Sequence, residues 1–117
     1  MKIQDYEKFV NQMISKASTK DFQSKIGVSG LGLAGESGEV ADIAKKILFH
    51  EMEYTQEVKD KLVKEAGDVI FYLTFLCTNV LEMSLEDVME ANKEKLLDRY
   101  KSGKFTVQEF MDKESKK

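Results

Sequence analysis

A five-residue pattern occurs twice in this chain and constrains its fold more than any other feature. Residues 36–40 read Glu-Ser-Gly-Glu-Val, and residues 65–69 read Glu-Ala-Gly-Asp-Val. The two acids of each copy are three residues apart, so their carboxylates point from one face of a helix. Two such helices packed against each other would bring four carboxylates into one small volume.

The helical phase of these acids indicates which of them face the core. At about 100° per residue, Glu36 and Glu65 lie in the middle of their apolar stripes, whereas Glu39 and Asp68 lie at the edge. An acid on a buried face is costly to desolvate, and neighbouring acids repel each other. A hard cation such as Mg²⁺, which prefers oxygen ligands, is the usual compensation. The alternative is that each half-buried acid is paired with a lysine.

The rest of the chain predicts an all-α protein. It contains no proline, and its apolar residues recur with a period near 3.6 residues. Helices are predicted at about 4–17, 31–49, 56–81 and 84–100, with a short amphipathic segment within 106–117. Thr55 is a plausible N-cap, and Ser84 with Asp87 resembles a capping box. Glycines at 27, 30 and 32 predict a loosened approach to the second helix.

No linker or shift in composition divides the 117 residues. We therefore expect a single helical domain over residues 1–117, with a core at about 4–105 and a tail at about 106–117. Its architecture should be like that of a four-helix bundle, with carboxylates at the centre. The apolar faces exceed what one small core can cover, so we expect an oligomer.

Composition excludes several classes of function. The net charge is −3, with 18 basic and 21 acidic residues, and no basic patch of the kind that nucleic-acid binding requires. The longest apolar run, residues 69–77, is too short to cross a bilayer, and the N-terminus lacks the apolar segment of a signal peptide. The single cysteine, Cys77, is expected to be a buried free thiol. This fits a reducing cytosol and predicts a cytoplasmic protein without membrane or nucleic-acid partners.

The residues available for chemistry leave one kind of site. The only histidine, His50, has no partner at metal-ligand spacing, so zinc, Cys/His and ferritin-like di-iron sites lack their residues. The glycines at 27–35 are not followed by the Gly-Lys-Ser/Thr that closes a Walker loop. What remains is a carboxylate site with nearby cations. That combination suits Mg²⁺-assisted attack of water on a phosphoanhydride.

Several polar residues could meet phosphate. Arg99 is the only arginine, and it shares one stripe of the fourth helix with Asn92 and Lys95. Its planar guanidinium can donate two parallel hydrogen bonds to a phosphate; the alternative is a cation that favours the C-terminal helix dipole. Lys46 is either solvated or able to reach a polyphosphate. Tyr72, one turn after the second acidic copy, is either a core residue or a hydroxyl that contacts a sugar or phosphate.

Three segments together resemble a known family, the MazG-like nucleotide pyrophosphohydrolases of the all-α NTP pyrophosphatase superfamily. They are Leu-Ala-Gly-Glu-Ser-Gly-Glu-Val at 33–40, Lys-Glu-Ala-Gly-Asp-Val at 64–69 and Asn-Lys-Glu-Lys-Leu-Leu-Asp-Arg-Tyr at 92–100. The resemblance spans about residues 31–105. It implies hydrolysis of a nucleoside triphosphate between its α and β phosphates, which releases a monophosphate and pyrophosphate.

The resemblance also implies a metal and an assembly. Mg²⁺, for which Mn²⁺ could substitute, would be held by four acids: Glu36, Glu39, Glu65 and Asp68. Glu39 is favoured, by geometry only, to orient the attacking water. Family members commonly build the pocket at a subunit interface, which implies a homo-oligomer, either a dimer or a tetramer.

The same resemblance suggests where a nucleotide would bind. Phosphate contacts map to Lys95 and Arg99, with Asn92 and Tyr72 as lesser candidates. The base would be recognised near the first helix and the loop after it, where the sequence offers Asn11, Gln12 and Phe22 but no tryptophan. The preferred base stays open.

Two alternatives are kept. Phosphoribosyl-ATP pyrophosphatases and dimeric dUTPases of the same superfamily share the acidic layout, although such a dUTPase is usually longer. From a different class, the chain could be a non-catalytic helical interaction module. Release of pyrophosphate with Mg²⁺ across a panel of nucleotides separates these alternatives.

Overall fold

A computed structural model describes residues 1–115, and every regular element in that range is helical. The α-helices are α1 (Ile3–Met13), α2 (Phe22–Phe49), α3 (Gln56–Phe75), α4 (Leu85–Arg99) and α5 (Val107–Ser115). A 3₁₀ turn, Lys16–Thr19, follows α1, and a π-helix, Leu76–Val80, extends α3. The predicted all-α class is confirmed. The chain divides into two compact units, Met1–Met83 and a second that begins at Ser84.

The start of α2 corrects the sequence prediction. The helix begins at Phe22 and runs without a break through Gly27, Gly30 and Gly32, so the expected loosened approach is wrong. Asp21 caps the helix, since its carboxylate accepts a hydrogen bond from the backbone N–H of Ser24 at 2.7 Å. The hydrogen bonds from Ser24 lower the pKa of Asp21. Each glycine costs about 1 kcal/mol relative to alanine in a helix, and the cap and the packing of α2 offset this.

Helices α2 and α3 form the antiparallel pair at the centre of the first unit. The short connection between them ends at Thr55, whose side chain accepts from the backbone N–H of Val58 at 3.3 Å, as the N-cap prediction requires. The 3₁₀ turn lies against α2, and α1 lies against α3. The most buried side chains of this unit lie on α1, α2, α3 and the π-helix: Val10, Ser29, Ile43, Thr74, Phe75 and Cys77.

The polar members of this core are satisfied locally. Thr74 donates its hydroxyl to the backbone carbonyl of Ile70 at 2.7 Å, and Ser29 donates to that of Ile26 at 3.2 Å. The expected buried free thiol is confirmed, because Cys77 has no exposed surface and no disulfide partner. Burial raises the pKa of the Cys77 thiol, which keeps it protonated and unreactive.

The second unit contains α4 and α5. Ser84 caps α4 by accepting from the backbone N–H of Asp87 at 3.1 Å, which confirms the predicted helix start. After α4, the ring of Tyr100 is buried and packs edge-on against Phe105, with ring centroids 4.8 Å apart. Gly103 then turns the chain with a φ of 78°. Helix α5 confirms that the tail forms an amphipathic helical segment.

Within the described residues, no single helix is both long and apolar enough to cross a membrane. Among the same residues, Gln56–Val80 and Leu85–Arg99 reach the required length and apolar composition only when they are counted together. The single domain, the four-helix-bundle-like arrangement and the oligomeric state stay predictions.

Candidate active site

Three of the four predicted acids converge between α2 and α3. Glu36 of α2 and Glu65 and Asp68 of α3 each offer one carboxylate oxygen, and these oxygens all lie within 4.8 Å of one another. Glu36 and Glu65 are half-buried, whereas Asp68 is exposed. The gradation in burial follows the helical phase of the repeated pattern, whereas the convergence that was predicted for four acids is seen for three.

The electrostatics of this carboxylate cluster are unfavourable without a cation. The pKa of Glu36 is raised, first by partial burial and then by the charge of Asp68 and by the hydrogen bond and charge of Glu65. Among the described side chains, no lysine or arginine forms an ion pair with these three carboxylates. The alternative, in which each half-buried acid is paired with a lysine, therefore has no support among the described side chains. An all-oxygen donor set with mutual repulsion fits a hard divalent cation such as Mg²⁺.

Glu39 lies at the rim of the carboxylate cluster. It is exposed and is not one of the three residues whose oxygens converge. Its charge nevertheless contributes to the raised pKa of Glu36, from which it is separated by one helical turn. Its predicted roles, ligand and organiser of the attacking water, stay predictions.

An open cavity of about 440 Å³ adjoins the carboxylate cluster. Binding sites for small molecules usually have about 300–1,000 Å³ and combine apolar walls with a few polar groups. The lining residues come from α1, α2 and α3: Tyr6, Phe9, Met13, Glu36, Gly67, Asp68, Phe71 and Tyr72. The aromatic wall of the cavity, formed by Tyr6, Phe9, Phe71 and Tyr72, thus lies beside two of the three converging acids.

Tyr72 is the predicted substrate residue that the structure brings to this cavity. Its ring meets that of Phe71 edge-on, with centroids 5.4 Å apart. On the opposite helix, the rings of Tyr6 and Phe9 are 5.9 Å apart. The pKa of Tyr6 is raised, mainly by burial and also by the charge of Asp68. Tyr6 and Asp68 both line this cavity.

The resemblance placed base recognition near the first helix, but the residues of α1 that line the cavity are not the ones named for that role. Tyr6, Phe9 and Met13 follow helical spacing and read as an ordinary core stripe, but Phe9 and Met13 are 44% and 63% exposed. Of the residues expected near the base, Asn11 is already engaged, since it accepts a hydrogen bond from Asn79 at 2.8 Å. No local signal in α1 distinguishes a cavity wall from a core face.

The remaining predicted substrate residues are Lys46 of α2 and three residues of α4. Lys46 forms an exposed ion pair with Asp42, with Nζ 3.0 Å from Oδ2. Asn92, Lys95 and Arg99 belong to α4, in the second unit. Asn92 and Lys95 are exposed, and Arg99 is half-buried in the last turn.

Comparison with known proteins identifies the family. The sequence profile of the MazG nucleotide pyrophosphohydrolase domain matches residues 29–104, which include all three converging acids and α4. The chain belongs to the MazG family. Tyr6 and Phe9, the part of the aromatic wall that α1 supplies, precede the matched segment.

Two relatives of this MazG chain have been found among curated proteins. It is 42% identical over 74 residues to the "Gene 37 protein" of Mycobacterium phage L5, a match that covers 62% of this chain and 64% of the phage protein. It is 31% identical over 106 residues to the "Uncharacterized protein YvdC" of Bacillus subtilis (strain 168), covering 86% and 97%. The chain thus spans less than two thirds of the phage protein and nearly all of the Bacillus protein. No solved structure gives a significant match.

Proposed function

We propose that this protein is a Mg²⁺-dependent nucleoside triphosphate pyrophosphohydrolase, which cleaves a nucleotide of the (d)NTP class to the monophosphate and pyrophosphate. The observation that carries the proposal is the convergence of Glu36, Glu65 and Asp68 beside a cavity of nucleotide-compatible size, in a chain of the MazG family. An exposed acidic cluster alone would be ordinary. A cluster aligned with an aromatic cavity suits a ligand that carries both an aromatic ring and metal-bridged phosphates.

The residues present fit a divalent metal ion. Glu36, Glu65 and Asp68 would hold it, with Glu39 as a fourth ligand at the rim. Bound Mg²⁺, or Mn²⁺ in its place, supplies neutralisation of the phosphate oxygens and makes water more acidic. Partial burial and then the neighbouring acids raise the pKa of Glu36, and a cation at the cluster would offset the charge repulsion that contributes to this rise.

In the proposed reaction, Glu39 orients a water molecule and accepts its proton. The water oxygen adds to one phosphorus atom of the α–β bridge, and the bond from that phosphorus to the bridging oxygen breaks. The bridging oxygen leaves with the other phosphate fragment, so the products are a monophosphate and pyrophosphate. The exposed position of Glu39, one turn from Glu36, gives it access to solvent water.

The proposed phosphate contacts are Lys95 and Arg99 of α4, with Asn92 as a weaker contact. Arg99 suits this role because its guanidinium can bind two phosphate oxygens at once. Lys46 is a further candidate, although its side chain is paired with Asp42. Tyr72 lines the cavity one turn from Asp68 and could donate its hydroxyl to a phosphate or sugar oxygen.

The aromatic wall would receive the base. Tyr6, Phe9 and Phe71 present ring surfaces, and stacking of a base on an aromatic ring contributes about 1–3 kcal/mol. Stacking tolerates every base because each has a π-face. This wall therefore supports binding of a nucleotide without indicating which base is preferred.

We also propose that the active form is a homo-oligomer, a dimer or a tetramer, located in the cytoplasm. Large apolar side chains are exposed on the helices of the first unit, among them Leu31 at 78%, Leu48 at 73% and Val63 at 62%. A second copy that covered these faces would bury apolar surface, which favours association. Light scattering of the purified protein tests this, and a monomer that turns over nucleotide would contradict it.

The function is tested by product analysis. The purified protein is incubated with Mg²⁺ and a panel of the common ribo- and deoxyribonucleoside triphosphates, dUTP and phosphoribosyl-ATP. Pyrophosphate and inorganic phosphate are measured separately, and a chelator provides the metal-free control. We expect pyrophosphate with the matching monophosphate. Release of inorganic phosphate alone, or no release from any substrate, would contradict the proposal, while cleavage confined to phosphoribosyl-ATP or dUTP would favour the related enzymes.

A further inference from the structure

Gly32 lies directly against the ring of Tyr72. In the antiparallel pair, residue numbers rise along α2 as they fall along α3, so Gly32 meets Tyr72 one turn before Glu36 meets Asp68. A methyl group added at Gly32 would overlap ring atoms Cδ1 and Cε1 and would lie only 2.7 Å from Cγ. The ring therefore occupies space that any side chain at position 32 would need.

The other helical glycines have no such neighbour. A methyl group added at Gly30, Gly35, Gly38 or Gly67 would meet no atom within 4 Å in the described chain. Each of these glycines therefore has steric room for alanine, which is the better helix former. Gly32 differs because a side chain there would displace a specific ring, and that ring belongs to the cavity.

The position of Tyr72 matters because its ring is a wall of the cavity that contains Glu36 and Asp68. Asp68 and Tyr72 are four residues apart on α3, and Gly32 and Glu36 are four residues apart on α2. The same crossing of two helices thus sets the place of the ring and the place of the acids. Moving the ring off the α2 backbone would change the shape of the cavity while leaving the carboxylates on their helices.

We propose, resting on the proposed function, that Gly32 is a positioning residue for nucleotide binding. Its missing side chain lets the Tyr72 ring lie on α2, and this holds that ring as part of the wall of the cavity that Glu36 and Asp68 also line. Gly32 itself touches no substrate. Its effect passes through Tyr72.

The experiment compares Gly32→Ala with Gly30→Ala, a matched change on the same helix. Two affinities are measured for each folded variant: that for Mn²⁺ alone, and that for the α,β-methylene analogue of the nucleotide that the wild type cleaves fastest. We expect G32A to bind the analogue about tenfold more weakly, the loss of about one hydrogen bond or stacking contact. Mn²⁺ affinity should stay within about twofold of wild type, and G30A should match wild type in both. A G32A protein that binds the analogue as G30A does would overturn the inference.

A second pair of variants keeps the test decisive if G32A fails to fold. Without the ring, the methyl group at position 32 displaces nothing, so G32A/Y72A should fold and bind the analogue within about twofold of Y72A, a strongly non-additive result. A double variant that stays unfolded, or binds at least about threefold more weakly than Y72A, would overturn the role of Tyr72 as intermediary.

Failure of the proposed function gives a different pattern. A wild-type protein that binds Mn²⁺ but neither cleaves nor binds any nucleotide of the panel would overturn that function, and this inference with it. Normal wild-type turnover with an unaltered G32A variant would overturn this inference alone.

Discussion

Helix α2 carries acids in two contrasting surroundings within two turns of each other. Asp42 lies on the outer face, with Lys45 3.6 Å away and Lys46 3.0 Å away, and these lysines, Lys46 above all, lower its pKa. Glu36 faces α3, where it meets Glu65 and Asp68 and where its pKa is raised. One helix thus neutralises one acid with its own lysines and leaves the other among acids.

The difference teaches how to recognise a functional acid in a charged chain. Lysines three and four residues after Asp42 form the ordinary helical ion pairs, worth only a few tenths of a kcal/mol each. Nothing comparable neutralises the carboxylate cluster among the described side chains, so its charge is available to a ligand. Burial and the sign of the neighbouring charges, rather than the number of acids, separate the two regions.

The largest expected effect is a difference in turnover between a variant of the carboxylate cluster and a variant of the lysine-paired Asp42. Asp68→Asn removes a charge from the carboxylate cluster and should lower turnover by about 100-fold or more, because the remaining acids bind the metal poorly. Asp42→Asn is the matched control and should keep turnover within about threefold, since surface ion pairs contribute little. Steady-state pyrophosphate release, with circular dichroism to verify folding, measures both. Near wild-type turnover in the Asp68 variant would remove the cluster from the mechanism.

Glu39→Gln separates binding of the metal from activation of water. If Glu39 mainly accepts the proton, its amide variant should lose about 100-fold or more in turnover, in the range known for general bases. Mn²⁺ affinity should fall much less than in the Asp68 variant, because the three converging carboxylates remain. Mn²⁺ titration beside steady-state kinetics makes the distinction, and equal losses of both properties would instead make Glu39 a principal ligand.

Bound metal should stabilise the folded protein through the carboxylate cluster and independently of Asp42. A ligand that binds only the native state adds about 2.7 kcal/mol of stability at a hundredfold excess over its Kd. We therefore expect the melting temperature to rise with Mg²⁺ or Mn²⁺ in wild type and in Asp42→Asn, but much less in Asp68→Asn. Thermal melts over a millimolar range of metal measure this. A flat response in wild type would show that the carboxylates do not hold the ion.

Arg99 tests whether a cation of α4 serves the phosphates, in contrast to Lys46, which forms an ion pair with Asp42. Arg99→Ala should weaken transition-state binding by about 1.5–3 kcal/mol, the range for a hydrogen bond to a charged group, with little change in melting temperature. If Arg99 only favours the end of α4, its loss would cost about 0.3–1 kcal/mol of stability and leave kcat/KM unaltered. Kinetics and a melt of this one variant, beside Lys101→Ala as a control at an exposed ion pair, decide between the two.

The sequence predicted the acidic half of the site because helical phase is a local property. Glu36, Glu65 and Asp68 converge as their spacing indicated, and Thr55 and Ser84 cap their helices. The caps, and the face of its own helix on which each acid lies, depend on residues three or four apart, which a helix brings together. The convergence of Glu36 with Glu65 and Asp68 also requires α2 to pack against α3.

The aromatic half could not be predicted in the same way, because it depends on how distant helices pack. Tyr6 and Phe9 become a cavity wall only because α1 lies against α3. The start of α2 was misjudged for a related reason. Gly32 reads as a breaker in isolation, yet in the folded pair it admits the ring of Tyr72. A glycine in the sequence can indicate either a turn or a close contact between helices, and the packing of the partner helix decides which of the two occurs.

The smallest expected effect is a dependence of stability on pH that has opposite signs in the two regions. The pKa of Glu36 is raised above its ordinary value of 4.5, so the folded protein retains a proton that the unfolded chain releases. The stability that this difference in the pKa of Glu36 contributes is fully present at pH below 4.5 and is lost as the pH rises through the raised pKa. The pKa of Asp42 is lowered below 3.8, so its contribution is present above 3.8 and is lost as the pH falls through the lowered pKa.

Two variants resolve these opposite slopes in a metal-free buffer with chelator. In Glu36→Gln, the loss of stability above the ordinary range of a glutamate should disappear, and the apo protein should melt at a higher temperature than wild type at neutral pH. In Asp42→Asn, the loss at the acid end should be smaller than in wild type. Denaturant unfolding at a series of pH values measures both slopes. Since surface pairs contribute little, the Asp42 change is expected to be the smaller, and a Glu36 variant that melts below wild type at neutral pH would show that repulsion within the cluster does not govern the apo fold.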